Sequence, residues 1–367
     1  MGKRLTYFDI ARGAGMVLVL IGHLQGEILN FSPYILYLCI WIFSFHMPLF
    51  FIISGMLIRY KNDLRRDFRE LAKKRFKGIM VPYYLFSLIY IGIVLYGMFV
   101  DKVVPPSTLY INLWYVAGLY GMNVLWFLPA LFLGELLFLW IRKRFSDRTS
   151  LMIIAVLTVT AYFLNLSLQN AAFDTALYER LHELCITLLR PVFACSFIAI
   201  GYYSFGLTER LRSSGFSVKE VLLAFAFFVI NILCIYISMK VLHYNNVGEF
   251  RSLVHNNVFV YYVAAVSGSF WLILLSKNLS GLKYGFPLLT FYGMNSLVFM
   301  AVHNNSRVLT FALRSAMYIN QYLTRARGYI CYGIIVFTML LYTTLMIMLI
   351  NRFVPFLAGK SNALYRI

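Results

Sequence analysis

The chain has 367 residues, 61% of them hydrophobic and 18% aromatic; only 13% are charged, yet the formal net charge is +19. An average soluble domain is about 45–50% apolar and about 25% charged, so a mean hydropathy of +0.75 excludes a disordered chain, a secreted disulfide scaffold and an ordinary soluble enzyme. A nucleic-acid binder shares the basic excess but not this apolarity, so no nucleic-acid partner is expected. The expectation is an all-α, polytopic membrane bundle, with residues 1–367 forming a single transmembrane domain and no soluble domain.

A membrane span needs about 20 apolar residues. Ten segments qualify: Ile10–Leu29, Tyr34–Ile58, Ile79–Val100, Val124–Ile141, Leu151–Leu168, Glu183–Phe205, Val221–Val241, Asn256–Ser276, Phe286–Ala312 and Tyr329–Val354. Lys3 and Arg4 before the first run resemble a signal peptide. However, Asp9, Arg12 and His23 interrupt that run and no small-residue cleavage site follows, so it is expected to be a retained span.

With the N-terminus placed in the cytoplasm, 23 of the 33 basic residues fall on the cytoplasmic side, eight outside, and Arg12 and Arg190 within spans. This asymmetry predicts an N-in, C-in topology with about ten helices. The group Arg307–Arg327 runs against it. Cys39, Cys185, Cys195, Cys234 and Cys331 lie in apolar stretches without metal spacing. They read as core residues, with no metal expected.

Ionisable groups inside spans are costly and are functional candidates by default. In the first span Arg12 and His23 are 11 residues apart, about 20° past three helical turns. They therefore share a face, about 16 Å apart along the axis. Asp9 sits one turn before Arg12 and can pair with it. In the second span His46 lies near Pro48, which is expected to free a backbone carbonyl. In the ninth, Ser296 lies about 20° short of two turns before His303 and shares its face, with Asn304 adjacent. His23, His46 and His303 fall at comparable depth, a pattern that suggests one polar cavity. Glu135 is the deepest carboxylate, and Arg190 is its candidate partner, as a structural ion pair or in catalysis.

The loop RYKNDLRRDFRELAKKRFKGIMVP holds nine basic residues with the period of an amphipathic surface helix. Two readings fit its charge. One is topology and anionic-lipid binding. The other is docking of a phosphate-bearing cytosolic cofactor such as coenzyme A.

Several segments together resemble the acyltransferase-3 family of membrane proteins. They are YFDIARG with Arg, ten residues and His in the first span, then FHMPLFFIISG, LWFLPALFLGELL, FIAIGYY and FYGMNSLVFMAVHN in order. The likeness runs from Arg4 to about Arg352. It implies a ten-span bundle in the cell (inner or plasma) membrane. Such a bundle takes an acyl group, commonly acetyl, from cytosolic acyl-CoA to a hydroxyl of a cell-surface glycan or lipid-linked saccharide. By the resemblance His23 and Arg12 match the essential first-span pair; Asp9, as the partner of Arg12, completes the expected catalytic set, and Lys73, Lys74, Arg75 and Lys77 are expected to hold the donor. A basic doublet, R-x-x-R in many relatives, falls on Lys74 and Lys77; lysine binds phosphate as a point charge without the bidentate fork of arginine. His46, Ser296, His303 and Asn304 are expected to bind the acceptor. Membrane lipids and glycan-assembly proteins are the further partners implied. Many relatives carry an extra hydrolase-like domain; only 13 residues follow the last span here, so the bundle is expected to complete the transfer itself or to hand on its product. A transporter or flippase for an anionic glycan or small molecule fits the same spans and polar residues, but it predicts an internal repeat that is not visible. A non-catalytic subunit of a polysaccharide machine would not need His23 or Arg12.

Overall fold

The computed structural model describes residues 4–24, 33–169, 175–210, 217–244, 248–254, 257–282, 286–320 and 327–359. Among them, α-helices are joined by short 3-10 and π-helical turns, with no strand. Helix is the dictated choice, because a segment in lipid must satisfy its backbone groups internally. Eight of the ten expected spans are helices long and apolar enough, by length and composition, to cross a membrane. The first and ninth are not among them. The first carries three ionisable side chains; the ninth is broken.

The chain divides into two units: Met1–Phe50, Leu211–Glu249 and His255–Val354 form one, and Phe51–Arg210, Phe250–Val254 and Pro355–Ile367 the other. In the first, α1 (Thr6–His23) packs on α12 (Pro287–Met294). Two glycines permit the contact. A Cβ on Gly13 would fall 1.9 Å from the Leu289 carbonyl oxygen, and one on Gly293 would fall 1.8 Å from that of Asp9. Small residues let helix backbones approach this closely in membranes. The helices α10 (Val218–Tyr236) and α11 (Val258–Ser280) form a hairpin. It is tied by Lys277 to Glu220 at 2.9 Å and by Asn231 donating to the Ala264 carbonyl at 2.7 Å.

The second expected span is broken into α2 (Pro33–Phe43) and α3 (His46–Tyr60). The break lies at Ser44–Phe45, one turn before Pro48, because a proline ring clashes with the carbonyl four residues earlier. The ninth is broken twice, into α12, α13 (Ser296–Val302) and α14 (Ser306–Asn320). Asparagine side chains compete with helical hydrogen bonding at both breaks. Asn295 Nδ2 donates to the Phe291 carbonyl at 2.8 Å, and Asn305 Oδ1 accepts from the amides of Arg307 and Val308, capping α14. The tenth span is α15 (Arg327–Phe353).

In the second unit, α4 (Phe68–Arg75) widens into a π-helical turn, Phe76–Met80, that runs into α5 (Val81–Phe99). Asp67 caps α4 by accepting from the Glu70 amide at 3.1 Å. That hydrogen bond holds the Asp67 carboxyl below the usual carboxylate range. The expected outer connection after Val100 contains a helix of its own, α6 (Pro106–Ala117). Tyr83 Oη reaches back to the Val116 carbonyl at 3.2 Å. The chain then turns sharply at Gly121, where a Cβ would lie 2.3 Å from Trp126 Cα, and enters α7 (Phe127–Arg144). The remaining helices are α8 (Asp147–Gln169) and the 35-residue α9 (Ala176–Arg210), much longer than the expected sixth span. A second reciprocal glycine contact joins α3 to α9. Added Cβ atoms on Gly55 and Gly201 would each fall 1.9 Å from a backbone oxygen, of Ile198 and Ile52 respectively.

Candidate functional site

Two polar clusters emerge, one in each unit. In the first unit Asp9 is buried on the opening turn of α1, between two arginines. Arg4 Nε lies 2.6 Å from Oδ2 and Arg12 Nη2 lies 2.5 Å from Oδ1. A carboxylate here also complements the positive end of the helix dipole. Arg12 Nε reaches the Phe8 carbonyl at 3.4 Å. The guanidinium is thus oriented by its own helix, in the arrangement expected of the Asp9–Arg12 pair.

His23 is the last residue of α1 and is exposed. The residues after Leu24 in the expected first span lie outside those described. Its Nδ1 lies 2.8 Å from the Val19 carbonyl, so that nitrogen carries the proton. His303, 1% exposed, follows α13 and points its Nδ1 at the Met300 carbonyl at 2.8 Å. Its Nε2 approaches His23 Nδ1 at 3.4 Å, with ring centroids 5.1 Å apart. The consistent assignment is a proton on each Nδ1. His303 Nε2 then accepts, and Nε2 is the basic nitrogen of His23. His46 opens α3 and turns its Nδ1 to the Ile42 carbonyl at 3.1 Å. Phe43 separates it from His23, with its ring centroid 6.2 Å from His23 and 5.1 Å from His46. Phe43 therefore links His46 to the His23–His303 pair. Ser296 starts α13 and Asn304 follows His303 directly. Phe43 was not a sequence candidate. Its position three residues before His46 was the available signal.

The second cluster is built on the basic loop. Lys73, Lys74, Arg75 and Lys77 line a cavity of about 570 Å³ with Glu70 and Gly359. This volume is that of a small-molecule site. Gly359 has a left-handed φ of +65°, and a Cβ there would lie 3.2 Å from Gly78. The four basic residues lie together as their spacing implied, but Arg75 differs from the lysines. Its Nη2 donates to Asp63 Oδ2 at 2.9 Å and its Nε lies 2.6 Å from Glu135 Oε2. Glu135 thus pairs with Arg75 rather than with Arg190. Arg190 is held elsewhere: it donates to the carbonyls of Arg251 at 2.7 Å and Tyr120 at 2.8 Å and lies over the rings of Tyr120 and Trp126. Carbonyl dipoles and aromatic faces both help to stabilise a buried guanidinium. Asp63 and Gly359 were missed by the sequence reading. Asp63 sits in a 3-10 turn, Asp63–Arg65, that follows the left-handed Asn62, not on the continuous amphipathic helix the loop's period suggested.

The long apolar helices define a multi-pass membrane protein. The chain belongs to the acyltransferase-3 family: the model of that family, an acyltransferase domain, matches residues 5–350. No curated protein and no solved structure matches the chain. The protein is a membrane acyltransferase.

Proposed function

We propose that the protein is an acyl-CoA-dependent O-acyltransferase of the cell (inner or plasma) membrane. In this reading it moves an acyl group, acetyl first among the candidates, to a hydroxyl of a cell-surface or lipid-linked saccharide. The observation that carries this reading is the orientation of His23. A ring whose Nδ1 proton is committed to a carbonyl keeps Nε2 as a base, and imidazole is the side chain most often used for general-base proton removal.

Three lysines around a cavity of about 570 Å³ fit the phosphates of coenzyme A, since each ammonium is a compact donor for a phosphate oxygen. When bound, acyl-CoA supplies the acyl group as a thioester. The rest falls to this chain's own residues. His23 Nε2 takes the proton of the acceptor hydroxyl as its oxygen bonds to the acyl carbon. The carbon–sulfur bond breaks, and His23 returns the proton to the departing thiolate. His303 keeps the His23 ring in the productive tautomer. His46, Ser296 and Asn304 offer hydrogen bonds to the saccharide. The Asp9–Arg12 pair presents a fixed cation about three turns before His23. A direct transfer of this kind needs no acyl-enzyme.

The test uses purified protein in liposomes with labelled acetyl-CoA and a lipid-linked saccharide. Release of free thiol with label on the saccharide, lost in His23→Ala protein that still inserts, is the expected result. Full transfer by inserted His23→Ala protein would overturn the base assignment. Solute counterflow without thiol release would overturn the enzymatic reading.

A further inference from the structure

Glu135 is 4% exposed, on an apolar helix where an ionised carboxylate is expensive. Its two oxygens are used in different ways. Oε1 accepts from the Ser54 hydroxyl, and Oε2 pairs with Arg75 Nε at 2.6 Å. Arg75 passes the connection on to Asp63 at 2.9 Å, and Asp63 lies 3.6 Å from Arg66 Nε. The turn bearing Asp63 is itself fixed, because Lys143 of α7 donates to the carbonyls of Leu64 and Arg66. Arg75 therefore sits between two carboxylates supplied by two other elements. Its charge is compensated by Glu135 and by a share of Asp63, which leaves Lys73, Lys74 and Lys77 as the cations of the cavity wall.

The place of Arg75 in the chain matters as much as its charge. It is the last residue of α4, at the joint with the π-helical turn Phe76–Met80. π-Helical turns are rare and occur often at functional sites. Lys74 precedes the joint and Lys77 follows it. Stability does not account for the charges, since a packed apolar pair commonly holds two helices as well as a buried ion pair does.

We propose that Glu135 is a positioning residue for the donor site. Through Arg75 it locks the joint between α4 and the π-helical turn, so that Lys74 and Lys77 keep the spacing that phosphate binding requires. Arg75 is then a strut rather than a phosphate ligand. The inference rests on the reading of this cavity as the acyl-CoA site.

The experiment measures KM for acetyl-CoA and kcat, with melting temperature in detergent, for the full chain and for Glu135→Gln, Arg75→Gln, their double variant and Lys74→Ala/Lys77→Ala. Glu135→Gln is expected to raise KM about tenfold with kcat within about twofold, since it removes one charge of the ion pair that holds the joint. The double variant is expected to be no worse than Arg75→Gln, because both changes break one connection. An unchanged or lower KM in Glu135→Gln beside a raised KM in Arg75→Gln would make Arg75 a direct ligand and overturn the proposal. A fall in melting temperature with kcat and KM moving together would reduce the network to scaffolding and overturn it too. If the lysine variant leaves KM unchanged, the donor reading falls and takes this inference with it. If the lysines raise KM and Glu135→Gln does not, this inference falls alone. Should Glu135→Gln fail to accumulate, Asp63→Asn removes the other carboxylate and is expected to give the same rise in KM.

Discussion

In the first unit, His23, His46 and His303 are each oriented by a carbonyl of the same helix or of the turn just before it. In the second unit, Arg75 is held by carboxylates from two other elements, one of them 60 residues away in sequence. Local orientation costs little and leaves Nε2 of His23 for chemistry. Long-range ion pairing fixes a backbone joint but consumes the charge that does the fixing. A cluster of the first kind suits proton transfer, and one of the second kind suits the shaping of a binding wall.

The strongest way to break this contrast is His23→Ala. General-base removal is expected to cost about 10²–10⁴ in kcat with no loss of insertion, since His23 is exposed; both are read from initial rates and from membrane yield. His303→Ala comes next. Loss of the acceptor beside His23 Nδ1 is expected to lower kcat about tenfold at unchanged KM for the donor, as for one buried hydrogen bond. The reciprocal glycines sharpen the comparison between units. Gly293→Ala and Gly201→Ala both force a Cβ into a carbonyl oxygen, an overpacking worth about 1–3 kcal/mol. Both should lower the melting temperature in detergent. Gly293→Ala should also lower kcat, because it shifts the segment that carries His303 against α1. Asp67→Ala should have the smallest effect. It removes the cap of α4 and should raise KM for the donor less than about twofold. Because the folded Asp67 carboxyl titrates below its ordinary range, the cap is intact above the unfolded pKa near about 4 and is lost only as pH falls through the lower folded value. The KM difference between Asp67→Ala and the parent should therefore vanish in acid, which a pH series would show.

Much of the helical layout was legible from the chain alone, because runs of apolar residues have few alternatives in lipid. The Asp9–Arg12 pair was legible for a similar reason: residues three apart on a helix must meet. Helix breaks were less so. Asn295, Asn305 and Pro48 were visible, but a side chain interrupts a helix only when its surroundings reward the break. The partner of Glu135 could not be read at all, since two arginines were available and only tertiary packing chooses between them. The five segments that carry the family likeness contain Gly13, Gly55, Gly134, Gly201 and Gly293. Each of these glycines stands where an added Cβ would meet another helix at 2.8 Å or less. The segments that carry the likeness therefore hold helix crossings as well as candidate chemistry.

One dimension of α9 has a further consequence. At about 1.5 Å per residue its 35 residues measure about 52 Å, against about 30 Å of hydrocarbon. Even a steep tilt of about 40° would shorten its projection only to about 40 Å. Some turns of this helix must stand clear of the oily layer, among lipid headgroups or in water. The end holding Glu179, Arg180, His182 and Glu183 has the composition for it. That end is a handle on the molecule: a cysteine placed there should react with a membrane-impermeant maleimide from one side of an intact vesicle, and so report which way the whole protein faces.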